Sequence, residues 1–350
     1  MSGAASPLPY CPRPRRDEAG FSWLTRVGEV YGLDAERLLH AIAGDSSDAR
    51  IPSRKIEQAF THPLVNALAR ASGISRHRLI GLPGGPVDWL LADPVRCNVC
   101  IRCIEHDIFS AGPFLRVSWR QAWRTTCRSH GVQLVCTSLN LMVGRLSEAK
   151  QHLEYVRLRR LSVAIENGIN AAEVDDPRAV AVGHAIGEME TALDNAIRGL
   201  APPSRKWGAL TTSEFLHVVK DVTAWALTNF ESFNARPAAE DAPNGVRTPA
   251  ATYFAVKRRL LSAFVDDSSL RTLADTPEAG LRAAALWWAH VLLAHRYPYG
   301  PAMALSAPAR QWRLLKCRSP RGLNWLHTRM QLWPKNYVRD HWIVLDEFIF

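Results

Sequence analysis

Five of the seven cysteines in this chain lie between Cys97 and Cys136. The stretch reads Cys97-Asn-Val-Cys100-Ile-Arg-Cys103-Ile-Glu-His106, and after a gap Cys127-Arg-Ser-His130-Gly131. A Cys-x2-Cys turn aims two thiolates at one ion. A Cys-x2-His pair after 23 intervening residues supplies the other two corners of a tetrahedron. Zinc accepts that mixture of sulfur and nitrogen, and four protein ligands leave no open position for a reacting water. The spacing therefore predicts one structural Zn2+ held by Cys100, Cys103, Cys127 and His130, with no catalysis at the metal. Two substitutions stay open: Cys97 also forms a Cys-x2-Cys with Cys100, and His106 could replace one ligand. Cys136 lacks a Cys-x2-Cys companion, so no second zinc site is expected. A disulfide framework would be even in number and more evenly spread, so the clustering points to metal in an intracellular setting.

Upstream of the cysteines the chain repeats a short grammar. Tyr31-Gly32-Leu33-Asp34-Ala35-Glu36-Arg37-Leu38-Leu39 aligns with Ser72-Gly73-Ile74-Ser75-Arg76-His77-Arg78-Leu79-Ile80. Glycine ends one helix in the left-handed region, an aliphatic residue follows, and Asp34 or Ser75 caps the next helix. The outline is that of a helix-turn-helix unit, although two packed helical hairpins would use the same residues. A weaker third copy is Asn167-Gly168-Ile169-Asn170. Before the first hairpin, residues 1–20 are rich in Pro, Arg and Gly and read as an extended arm. Residues 81–95 form a Gly/Pro-rich connector.

Beyond residue 145 the periodicity is helical. Helices are expected near Glu148–Glu166, Pro177–Gly199, Ser213–Phe230, Thr252–Phe264 and Gly280–His295, with Thr211 and Glu214 as a capping box. A polar loop is expected over Pro237–Pro249. The expected fold class is mainly α: helix-turn-helix-like hairpins over 1–95, a zinc-finger module over 96–140 that can include short strands, and a C-terminal helical domain over 145–350. Most of the tryptophans in that last domain should be core.

The net charge is +10, and the first 150 residues carry 19 Lys and Arg against 13 Asp and Glu. That balance favours a polyanionic partner, DNA before membrane. Arg116, Arg120, Arg124 and Arg128 recur every four residues, a stripe if the segment is helical. Like charges at that spacing repel unless they face phosphates or carboxylates. With the arm residues Arg13, Arg15 and Arg16, the arginines at 116, 120 and 124 are the expected nucleic-acid contacts. No run of about 18 apolar residues suggests a membrane span, and no apolar signal segment is visible, so a cytoplasmic location is expected.

Enzyme chemistry finds little support. The chain has no Gly-x4-Gly-Lys-[Ser/Thr] phosphate loop, no Gly-x-Ser-x-Gly and no His-Glu-x-x-His. The acidic pairs Asp175-Asp176 and Asp266-Asp267, with Glu347, lack the strand-rich surroundings of a metal-dependent nuclease. No catalytic residue is expected.

The order of the pieces carries more than any one of them. Pro12-Arg13-Pro14 precedes Phe21-Ser22-Trp23-Leu24-Thr25-Arg26. The two hairpins follow, then Cys100-x2-Cys103, Leu115-Arg116-Val117-Ser118-Trp119-Arg120 and Cys127-x2-His130-Gly131. Over residues 10 to 140 this resembles the TniQ domain of bacterial transposition proteins, related to the TnsD target selectors. A second Cys-x2-Cys, common in that family, is not intact here. The resemblance implies a non-catalytic accessory factor that links a target-recognition element to an AAA+ transposition ATPase. It also implies as partners DNA, that ATPase, and an RNA-guided target complex or a second copy of the chain. The alternative is a zinc-containing helix-turn-helix transcription regulator.

Overall fold

The computed structural model describes residues 7–43, 60, 62–82, 86–91, 96–110, 112–138, 148–175, 177–200, 203, 207, 209–228, 272–276, 279–293 and 320–338. The described residues are mainly helical, as expected. The chain divides into two compact units, Met1–Ser162 and Val163–Phe350.

In the first unit, helices α1 (Gly20–Val30) and α2 (Ala35–Ala43) form one hairpin, and α3 (His62–Ser72) and α4 (Arg76–Ile80) the other. The helix α2 packs on both α1 and α3. Phe21, Trp23, Leu24 and Val27 of α1 are all buried, as are Leu38, Leu39 and Ile42 of α2. The two turns close differently. Gly32, at φ +64°, is followed by Leu33, whose N–H reaches back to the Gly28 carbonyl at 2.9 Å. The Gly32 N–H meets Glu29 O at 3.2 Å, which completes a Schellman motif. Gly73, at φ +67°, donates instead to Ala69 O at 3.0 Å, the simpler left-handed cap. Asp34 caps as predicted, accepting from the Arg37 N–H at 2.8 Å. Ser75 does not cap with its side chain. Ser72 does the local work, accepting from the Ile74 N–H at 3.3 Å and donating to Leu68 O at 2.6 Å.

The arm is extended but fastened. The Trp23 indole N–H donates to Pro12 O at 2.8 Å, and the Tyr10 N–H donates to the Tyr31 hydroxyl at 3.0 Å. The Leu8 N–H meets Ala71 O at 2.8 Å, so the arm touches both hairpins. Glu18, nearly fully buried, takes Arg26 in a two-pronged ion pair with both contacts at 2.7 Å.

The cysteine module follows. Strands β1 (Arg96–Val99) and β2 (Val135–Ser138) pair antiparallel, with Val99 opposite Val135. Between them stand α5 (Ile101–Ile108) and the single turn α6 (Val117–Arg120). The segment before α6 is stitched to α1, because Ala19 N–H donates to Leu115 O at 2.8 Å and Leu115 N–H to the Ser22 hydroxyl at 3.1 Å. A long helix, α7 (Glu148–Asp175), begins in this unit. Its Glu154 accepts from Thr137 of β2 at 3.1 Å, and its Tyr155 hydroxyl donates to Glu105 of α5 at 2.7 Å.

This helix also corrects one expectation. Asn167-Gly168-Ile169-Asn170 is not a third turn, because α7 runs through it. One internal glycine costs a helix about 1 kcal/mol, and the Ala-Ala-Glu that follows favours continuation.

The second unit is helical. It contains α8 (Pro177–Ile197), α9 (Thr212–Thr228), α10 (Ala279–Leu293) and α11 (Pro320–Met330). The helix α9 packs against the other three, burying Phe215, Val218, Val219, Val222 and Trp225. The capping box at its start forms: Glu214 N–H to Thr211 Oγ1 at 3.3 Å, and Thr211 N–H to Glu214 Oε2 at 2.8 Å. Asp221 on α9 accepts from Arg329 of α11 at 2.9 Å and from the Trp333 indole at 2.9 Å. Trp207, Trp225, Trp288 and Trp333 are buried, in line with a tryptophan-rich core. The helix expected at Thr252–Phe264 and the loop at Pro237–Pro249 lie outside the described residues.

Candidate metal centre

Cys100 directly follows β1, in an extended conformation, and is the cap residue just before α5. Cys103 lies one helical turn on, so both thiols face the same side. The other pair sits on a tight turn. Gly131, at φ +68°, donates to Cys127 O at 2.8 Å, and the Cys127 N–H donates to Val132 O at 2.8 Å. That turn folds His130 back beside Cys127.

The four side chains converge. His130 Nδ1 lies 3.4 Å from Cys100 Sγ, 3.3 Å from Cys103 Sγ and 3.6 Å from Cys127 Sγ. Cys103 and Cys127 are 3.7 Å apart, and all four ligand atoms lie within 4.8 Å of one another. A tetrahedron with arms of about 2.3 Å to sulfur and about 2.0 Å to nitrogen has edges of about 3.5–3.8 Å. The set therefore fits a metal ion such as zinc. The three cysteines are buried, and His130 is the most accessible of the four.

The electrostatics favour the same conclusion. Hydrogen bonds from Cys100 and Cys103 hold the Cys127 thiol far below its ordinary pKa. Bonding to Cys100 and Cys127, with burial, pushes Cys103 well above it. Three thiols this close cannot all ionise on their own, and a divalent cation removes the conflict.

His106 stands apart from the cluster, with its side chain 79% exposed and its Nδ1 3.8 Å from Asp107. Cys97 takes the β1 position opposite Thr137. Cys136 is unbridged and half-buried. Among the described residues only Cys100, Cys103, Cys127 and His130 form a metal-competent group.

The arginines distribute unevenly. No helical stripe forms, because α6 covers only Val117–Arg120, with Arg116 and Gln121 extended on either side. Arg116 grips Asp107 of α5 with two bonds, at 2.7 and 3.0 Å, and stacks 4.2 Å over the Phe114 ring. Arg120 is 2% exposed and donates to Leu91 O at 3.0 Å. Arg124 is 6% exposed. Of the arm residues, Arg15 donates to Gly112 O at 2.6 Å, whereas Arg13 and Arg16 are exposed. The periodicity of four could not reveal the carboxylate partner, Asp107, which stands nine residues before Arg116. The signal that was available is the bidentate geometry that Arg and Asp favour.

No helix among the described residues is long and apolar enough to cross a membrane. Residues 9–134 match the family model described as TniQ, a span that holds both hairpins and all four residues of the cluster. No curated protein and no solved structure matches the chain.

Proposed function

We propose, from the premise that residues 9–134 make this chain a TniQ family protein, that it is a non-catalytic accessory factor of transposition. It binds DNA and links a target-recognition element to an AAA+ transposition ATPase. The observation that carries the reading is the family match, which spans the fastened arm, both hairpins and the four-residue cluster. In this reading Cys100, Cys103, Cys127 and His130 hold one Zn2+. Bound there, the ion has no open coordination position and supplies folding free energy in place of reactivity. The chain's own part is to pre-shape the ligands, through the β1–α5 junction and the Gly131 turn. The boundaries at 95/96 and 140/145 mark, on this reading, an assembly region followed by a helical body over 145–350. That body faces the target selector, an RNA-guided complex or a second copy.

DNA contact falls first to Arg13 and Arg16, which are exposed and have no ion-pair partner among the described residues. Arg15 and Arg116 are engaged by Gly112 O and Asp107, and Arg120 and Arg124 are buried, so these four contribute to the fold first. Phosphate contacts of this kind position without reading sequence.

The test is capture of an AAA+ transposition ATPase from the same mobile element, on DNA and with ATP, together with deletion of the gene. Retention of the ATPase, and a changed transposition frequency or target choice after deletion, support the reading. Unchanged transposition, with a single footprinted operator instead, would favour the zinc-containing transcription regulator.

A further inference from the structure

The two hairpins share a grammar but not a surface. Residues 62–82 contain three arginines, two histidines and no Asp or Glu. In the first hairpin, residues 20–43, Arg26 and Arg37 stand among Glu29, Asp34 and Glu36. There Arg26 is taken by Glu18 at 2.7 Å and Arg37 by Asp34 at 3.6 Å. In the second hairpin Arg70, His77 and Arg78 are exposed and have no side-chain partner among the described residues. Arg76 is exposed and, among the described residues, bonds only to His62, its Nη2 lying 2.6 Å from Nδ1.

Exposure follows the same division. From Ser75 to Gly81 only Leu79 is buried, while Ile80 is 49% exposed. A helix lying flat on a core buries a stripe on every turn. One anchor in a run of exposed residues describes a ridge that stands out from the body. We propose that this ridge, with Arg70, Arg76 and Arg78, is a docking surface for duplex DNA.

The inference rests on the DNA-binding reading above and names the face that serves it. With only five residues, α4 offers no helix-dipole site, so the attraction belongs to the guanidinium groups. A convex cationic ridge suits the major groove of B-form DNA, about 12 Å wide. The deep, narrow major groove of an A-form RNA duplex excludes it. The lack of Asp and Glu within residues 62–82 matters as much as the arginines, since each acid would cancel a phosphate contact.

Fluorescence anisotropy of the full-length chain on a random-sequence DNA duplex, across a salt series, tests the proposal. Each phosphate contact contributes about 0.9 to the slope of log affinity against log salt. Arg76→Ala/Arg78→Ala should therefore flatten the slope by about two, and Arg78→Glu alone should weaken binding further than Arg78→Ala. Arg37→Ala, on the first hairpin, should leave the slope unchanged. A melting curve matching the wild type shows that the variants fold, and Arg76→Gln/Arg78→Gln repeats the test if the alanine pair does not. Wild-type binding with an unaltered slope in these variants overturns the ridge and leaves the DNA-binding reading standing. No salt-dependent duplex binding by the wild type overturns both. Tighter binding to an RNA duplex, lost in the same variants, contradicts the groove assignment.

Discussion

The opening helix of the first hairpin is an interior element and the closing helix of the second a surface one, although the same local chemistry ends and restarts the chain in both. Almost all of α1 is covered, by the arm, by α2 and by the segment around Leu115, whereas α4 keeps a single buried residue. The aligned positions show why. Trp23 of α1 corresponds to Leu64 of α3, and Gly28 corresponds to Ala69. A Schellman turn brings Leu33 O so close to Gly28 that a Cβ there would sit 2.4 Å from it. The simpler turn at Gly73 leaves room for the Ala69 methyl. Similar punctuation thus builds a hairpin, while the residues around it decide whether the hairpin is core or surface.

The contrast can be broken by mutation, read locally because a chain of two units has no single unfolding free energy. The readout is hydrogen exchange of each hairpin's amides beside a melting curve. The largest effect is expected for Trp23→Ala, about 3–5 kcal/mol, since it empties a fully buried site and frees the Pro12 carbonyl. Leu64→Ala, its counterpart, should cost about 2 kcal/mol and expose only the second hairpin. Gly28→Ala should cost about 2–3 kcal/mol, because the clash is with backbone that the Schellman bonds hold in place. Gly32→Ala and Gly73→Ala should each cost about 1–2 kcal/mol, the strain of a left-handed alanine. If Gly28→Ala costs no more than Gly73→Ala, the two turns are equivalent and the contrast fails. Arg37→Ala should change stability by about 0.5 kcal/mol or less, since the Asp34 pair is largely exposed.

What was legible in the sequence was what local chemistry determines. The spacing of Cys100, Cys103, Cys127 and His130 singles out the four residues that converge. Gly32, Gly73, Asp34 and the Thr211–Glu214 box act as their types predict. Ser75 and Asn167–Asn170 show the limit, because a capping residue and a glycine are permissive signals that neighbouring bonds can override. The arginine stripe failed for a tertiary reason. Whether residues 116–124 coil into one helix depends on Leu91 pairing with Arg120 and on Asp107 holding Arg116. Neither partner is marked by periodicity. The fastening of the arm is equally silent in sequence, since its acceptors are backbone carbonyls.

Both hairpins belong to a unit that the cysteine module closes, and the link runs through Leu115 to Ala19 at the start of α1. Loss of the metal should therefore loosen α1 before α4. On the reading proposed above, this module is a closed structural metal site and not four reduced side chains that happen to meet. Elemental analysis of the full-length protein, purified without added metal, tests it most directly. One zinc per chain is predicted, retained through gel filtration and lost in Cys103→Ser but not in Cys11→Ser, with chelation accelerating exchange across residues 20–30 and 100–134. A well-folded chain carrying no metal, with exchange unaffected by chelator, would contradict it.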